Sequence, residues 1–107
     1  MRQKVWKNST MDAWDSDGRC CYKNWPCVVR LEGGTLEIRY QDDPDRETIR
    51  YVGGDDNYPD FKVTGFRVSD GVPFGTANLC ISEDERFLEG SWIEGNTSGD
   101  EWCITLR

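Results

Sequence analysis

The sequence has no histidine, and that absence excludes more chemistry than any residue present supplies. Without imidazole there is no His-dependent nucleophilic triad, no His general base and no His-containing metal site. No stretch approaches the roughly 18–20 apolar residues of a membrane helix, and residues 1–20 hold no apolar run of signal-peptide length. Together these absences predict a cytoplasmic protein with no membrane partner. Basic residues are scarce as well: 13 Lys and Arg stand against 20 Asp and Glu, for a net charge of −7. Nucleic acid is therefore not an expected partner, because phosphate-backbone binding is carried by clustered Lys and Arg that release counterions.

Cysteine is present, but not in metal-binding order. Cys20-Cys21, Cys27, Cys80 and Cys103 lack the paired Cys-X-X-Cys knuckles of a thiolate zinc site. In a reducing compartment they read as free thiols that pack as small hydrophobes. Of the Cys20-Cys21 pair, one is expected buried and its neighbour in solvent. Arg19 and Lys23 lie close enough in sequence to depress a thiol pKa, but no general base accompanies them. The segment Asp12, Asp15, Asp17, Gly18 contains an Asp-X-Asp-Gly fragment of calcium loops, yet Ala13 and Asn24 stand where an EF-hand needs acids. A looser calcium site from Asp15 and Asp17, or from Asp55, Asp56 and Asp60, competes with the simpler reading that these side chains cap turns. No metal and no cofactor are expected.

What the sequence does have is aromatic rings and alternation. Apolar residues make up only 36% of the 107, below the roughly 45–50% of an average globular chain. Five Trp, four Tyr and four Phe offset this, since each ring buries about 150–250 Å². A single domain with a small, aromatic-rich core follows from that length and composition.

From residue 26 onward period-2 alternation dominates and no window carries a helical stripe. Cys27, Val29 and Leu31 share one face of a strand over 27–32; Gly33-Gly34 turns the chain, and Leu36, Ile38 and Tyr40 face inward over 35–41. Further strands are predicted near 47–52, with Ile49 and Tyr51 inward, over 61–68, and near 75–82, 86–93 and 99–107. In the 61–68 strand Phe61 and Val63 are out of step with Phe66 and Val68, so a bulge or bend is predicted at Gly65. Cys80 and Cys103 are predicted on the outer face, flanking the 86–93 strand. Two strand spacings, roughly 9–10 Å, then separate them, beyond the roughly 7 Å reach of a disulfide.

An eighth strand is expected around Lys4-Val5-Trp6, and a short strand or irregular segment over 19–24. The fold class is therefore all-β: a small antiparallel meander of seven to eight strands, forming a barrel or a strongly curved sheet, with a sandwich as the other closure. Residues 1–25 are expected as an irregular lid or edge on the 26–107 meander. The opening Trp, Phe87–Trp92 and Trp102–Arg107 resemble in outline small calycin-like barrels of the lipocalin and avidin kind. The resemblance implies a barrel, includes no specific motif, and assigns no ligand residue.

The candidate site is drawn from the irregular segment. Trp14, Tyr22 and Trp25 stand among polar residues, where a core role is less automatic than for Trp102. Aromatic faces beside carboxylates hold a sugar, a cation or a partner's anchor residue; burial of the same rings as a plug is the structural alternative. Tyr58 is added as an aromatic contact, and Asp15, Asp17 and Asp56 as polar ones. The function expected is a non-enzymatic binding protein for a small molecule or a protein partner. One alternative is an acidic inhibitor or adaptor, of the kind mobile elements carry, covering a basic protein surface through Asp42-Asp43-Asp45 or Glu83-Asp84-Glu85. Another is a small hydrolase using Glu89, Glu94 or Glu101, which requires a concave site holding an acid of raised pKa. A homodimer is expected if an unclosed meander leaves edge strands to pair.

Overall fold

A computed structural model describes residues 3–42, 47–54 and 58–107. The chain forms eight strands: β1 (Gln3–Trp14), β2 (Cys20–Glu32), β3 (Thr35–Gln41), β4 (Thr48–Gly54), β5 (Asp60–Arg67), β6 (Pro73–Ile81), β7 (Phe87–Glu94) and β8 (Thr97–Thr105). Each runs antiparallel to the next, and β1 pairs with β8 to close a barrel. No helix occurs among the described residues. Closure removes the free edges on which the expectation of a homodimer rested.

The alternation read from β3 is the alternation found, with Leu36, Ile38 and Tyr40 buried. Gly33 and Gly34, at φ 58° and 84°, make the two-residue β2–β3 turn, whose paired positive φ values only glycine adopts without strain. At the other end of the chain, the last strand begins at Thr97 rather than near 99, and the β7–β8 turn is only Gly95-Asn96. Thr97, Ser98 and Gly99 pair with Glu94, Ile93 and Trp92.

Residues 3–25 are not an irregular lid or edge. They supply β1 and the first half of β2, which pair from Gln3↔Glu32 to Trp14↔Cys20. Bulges hid most of β1 and the first half of β2 from a period-2 reading. On β1 the inward parity changes from Lys4 and Trp6 to Ser9, Met11 and Ala13, across a register shift between Trp6 and Ser9. On β2 it changes between Tyr22 and Trp25, where Asn24 takes a positive φ of 49° and its N–H donates to Asp12 Oδ1 at 2.7 Å. Buried Ser9 is satisfied at the first bulge, its Oγ–H donating to the Trp6 carbonyl and its Oγ accepting from Arg107 N–H, both at 3.2 Å.

The irregularity predicted at Gly65 is present, as a register shift between Gly65 and Phe66 against β6. The accompanying change of face is not. Phe61, Val63 and Gly65 face inward, while Phe66 stays on the outer side and Val68 is 48% exposed. Gly65 fills an inward position because the Tyr51 ring lies over it, and a Cβ there would stand 2.6 Å from Tyr51 Cζ.

Candidate functional site

One end of the barrel, where β1, β3, β5 and β7 finish, opens into a cavity of about 410 Å³. Its wall is aromatic: Tyr22 and Trp25 from β2, Tyr40 from β3, Tyr51 from β4, Trp92 from β7 and Trp102 from β8. Asp42 and Glu94 bring two carboxylates into the same space, and no Lys or Arg lines it among the described residues.

The inward registers of the strands carry these groups to the mouth. On β7 the inward series Leu88, Gly90, Trp92 continues to Glu94, and on β3 Leu36, Ile38, Tyr40 continues to Asp42. A row across four strands then organises the polar end. Tyr51 is opposite Gly65, Gly65 is opposite Gly75, and Gly75 is opposite Glu94. The two glycines form a trough in which the Tyr51 side chain lies, so that its hydroxyl donates to Glu94 Oε2. A Cβ at Gly75 would stand 2.7 Å from Glu94 Cγ and 3.2 Å from Tyr51 Oη.

Around this pair the rings interlock. Tyr51 meets Trp102 edge-on at 4.9 Å between centroids, and Tyr22 lies 5.4 Å from both Trp25 and Tyr40. The Tyr22 hydroxyl donates to Asp42 Oδ1, and Trp25 Nε1–H donates to the Gln41 carbonyl at 2.7 Å. Two donors remain over. Trp92 Nε1–H and Trp102 Nε1–H are buried and have no acceptor among the described residues, although the rings themselves are only 7% and 4% exposed. Buried indole N–H groups usually find a partner.

Burial pushes the Glu94 carboxyl above the ordinary range; the Tyr51 hydrogen bond opposes that rise and the nearby Asp42 charge adds to it. Burial likewise lifts the Tyr22, Tyr40 and Tyr51 hydroxyls, which stay neutral donors at physiological pH. A second cavity, of about 600 Å³, adjoins the first and shares Trp25, Tyr40 and Asp42 with it. It exists because the β2–β3 ladder ends at Val28↔Arg39. Above that pair Cys27, Pro26 and Trp25 have no partners on β3, and Pro26 has no N–H to offer one.

Of the residues expected to form a site, the structure brings Tyr22 and Trp25 into the cavity wall. Trp14 stands at the end of β1, opposite Cys20 and Glu101, outside the lining. Asp15 caps the β1–β2 turn, its Oδ1 accepting from Asp17 N–H at 3.0 Å and Arg19 N–H at 2.9 Å, and Asp17 is exposed. Tyr58 belongs to the opposite end of the barrel, 54% exposed with its ring against Phe61. Asp56 lies outside the described residues, as do Asp55, Asp43 and Asp45. Among the described residues no group of three or more Cys, Asp or Glu is arranged to hold a metal ion.

Cys20 and Cys21 are both exposed, contrary to the expectation that one is buried; Cys20 pairs with Trp14, and a register shift between Tyr22 and Cys20 leaves Cys21 without a ladder partner on β1. Cys27 is the buried thiol, its pKa pushed up to about 12 by burial. Cys80 and Cys103 sit on the outer face, each opposite Glu89, and all five cysteines are free.

Tyr40, Tyr51, Trp92 and Trp102 are site residues that sequence reasoning did not gather, while Asp42 and Glu94 were weighed only for other roles, in an acidic docking loop and as a hydrolase carboxylate. The signal was available: each acid occupies the next inward position after an aromatic one, Tyr40 then Asp42 and Trp92 then Glu94, where a core residue is due. No protein-family model matches the chain, and no curated protein or solved structure shows significant similarity to it.

Proposed function

We propose that this protein is a binding module that takes a small molecule at the mouth of its barrel. The observation that carries the reading is the aromatic cavity of about 410 Å³ at the barrel mouth, into which the hydrogen-bonded Tyr51–Glu94 and Tyr22–Asp42 pairs bring two carboxylates. Cavities of roughly 300–1,000 Å³, mostly apolar with a few convergent polar groups, are the usual form of a small-ligand site. The break in the β2–β3 ladder supports a lateral approach to it.

A thermal-shift screen of sugars, amines, nucleotides and apolar metabolites tests the reading. At a hundredfold excess over Kd a ligand adds about 2.7 kcal/mol, a rise of several degrees or more in Tm. The expected result is a hit in the wild type that Ala13→Phe, which fills the cavity from β1, abolishes while retaining a cooperative melt. A screen with no hit sinks the reading.

One observation favours a second reading, a carboxylate-dependent hydrolase: Glu94 is an acid of raised pKa in a concave site that also holds Asp42. Hydrolysis of p-nitrophenyl glycosides, lost in Glu94→Gln, is its test. Binding is preferred because a tyrosine hydroxyl already occupies an oxygen of each carboxylate. Neither observation extends to the acidic-adaptor alternative. Glu83-Asp84-Glu85 lies at the opposite end of the barrel from Asp42, with Glu85 paired to Lys4 and Asp84 to Arg86.

A further inference from the structure

We infer that the molecule held at the mouth is a small organic ammonium, its cation seated against Glu94 and enclosed by the aromatic wall. The inference rests on the mouth being a ligand site and adds the chemistry of what it takes.

Three independent features lead to it. Glu94 Oε2 accepts from Tyr51, while Oε1 accepts no hydrogen bond among the described residues. The ion pairs among those residues engage Glu37, Glu47, Asp84 and Glu85, and none involves Glu94. A half-buried carboxylate without a basic neighbour calls for a cation from outside. The second feature is the wall: the faces and edges of Tyr51, Trp102, Tyr22 and Trp25 surround the acid, and aromatic faces attract a cation most strongly where water is excluded.

The third feature is the space itself. The Nε1 atoms of Trp92 and Trp102 are closed to solvent, so a ligand meets ring faces and edges rather than indole donors. A neutral sugar stacks on the rings but leaves the Glu94 charge uncompensated. The size of the cavity, near the lower end of the range for small-molecule sites, suits a small organic ammonium.

The test compares tyramine with 4-propylphenol, in which a methyl group replaces the ammonium and all other heavy atoms are kept. Titration calorimetry at low ionic strength reads both Kd values for the wild type, Glu94→Gln and Glu101→Gln. Glu101 is an exposed acid outside the cavity, so its variant makes the same change in net charge without touching the site. The expected result is tyramine binding at least about tenfold tighter than 4-propylphenol, a preference that Glu94→Gln erases and Glu101→Gln preserves.

Equal affinities in the wild type, or tighter binding of the phenol, overturn the inference and leave the mouth standing as a ligand site. A preference that survives Glu94→Gln overturns it too, since attraction to the overall negative charge then accounts for the result. Absence of binding by either probe overturns the inference, and a hit of another class in the thermal-shift screen then keeps the mouth as a small-molecule site. Nα-acetyl-lysine methylamide separates the sources of the ammonium. Weaker binding than tyramine supports a free small molecule, and tighter binding assigns the site to a partner's lysine and overturns the free ligand.

Discussion

The two ends of the barrel interior are built on the same alternation and filled in opposite ways. Away from the mouth, Val29, Leu36, Ile38, Val63, Leu88 and Ile104 are fully buried, aliphatic, and without a polar atom to satisfy. At the mouth the inward positions hold rings and acids, and the strands facing those rings hold glycine. Aliphatic side chains fill a small barrel by interdigitating, which leaves no space and no unmet group. Rings laid across glycine troughs instead fix polar atoms at the edge of an opening. The stable half and the candidate site are thus the same fold with a different choice of inward residue.

The comparison breaks most visibly in the aliphatic half. Leu88→Ala removes a fully buried side chain that is not itself part of the cavity lining, and about 3 kcal/mol of stability should be lost to transfer and cavity terms. Urea denaturation reads the loss, and the affinity of any ligand found should stay at the wild-type value. A change in that affinity would mean that the two halves are coupled rather than separable.

A smaller effect, with the opposite division between stability and binding, is expected at the trough. Gly65→Ala places a methyl group 2.6 Å from the Tyr51 ring, so the ring must tilt out of the row that ends at Glu94. Overpacking of this kind costs about 2 kcal/mol. Because the displaced hydroxyl orients the Glu94 carboxylate, ligand affinity should fall as well, which distinguishes the trough from the aliphatic half. Full affinity in a destabilised Gly65→Ala protein would show that Tyr51 only fills space.

This difference also explains what could be read in the sequence. The strands from β3 onward were legible because one residue in two is apolar and the turns are short. Leu36, Ile38 and Tyr40 declare their face without ambiguity. The second half of β2 was legible too; most of β1 and the first half of β2 were not, since a bulge at Trp6–Ser9 and another at Tyr22–Trp25 change the inward parity within each strand, and the inward positions of β1 include Ser9 and Ala13. The site was half legible for a related reason. Tyr22 and Trp25 stood out as rings in a polar segment, whereas Asp42 was read as a loop acid and Glu94 only as one of three candidate hydrolase carboxylates, because an inward acid carries no hydrophobic signal. Gly65 was visible as an irregularity, but its purpose depends on Tyr51, fourteen positions earlier in sequence and adjacent only through the β4–β5 register.

The smallest expected effect is one of sign, and it isolates the polar end from the rest of the barrel. Burial raises the Glu94 carboxyl above its ordinary value of 4.5, so the native state holds this proton more tightly than the unfolded chain does. The resulting contribution to stability is fully present below the ordinary carboxyl range and is lost as pH rises through the native pKa. Facing Glu94 from the neighbouring elements are Tyr51, Tyr22, Tyr40, Cys21 and Asp42. The three hydroxyls and the thiol are all raised and stay neutral over that window, which leaves Asp42 as the other carboxyl to consider. Glu94→Gln keeps an oxygen to accept from Tyr51 but removes the charge. Its Tm should therefore rise relative to the wild type as the pH increases through the weakly acidic range, and the difference should level off near neutrality. Paired melting curves against pH read this directly. Parallel curves would place Glu94 in open water and make the mouth no different from any acidic surface, whereas divergence of the opposite sign would mean that a cation from the protein already compensates it.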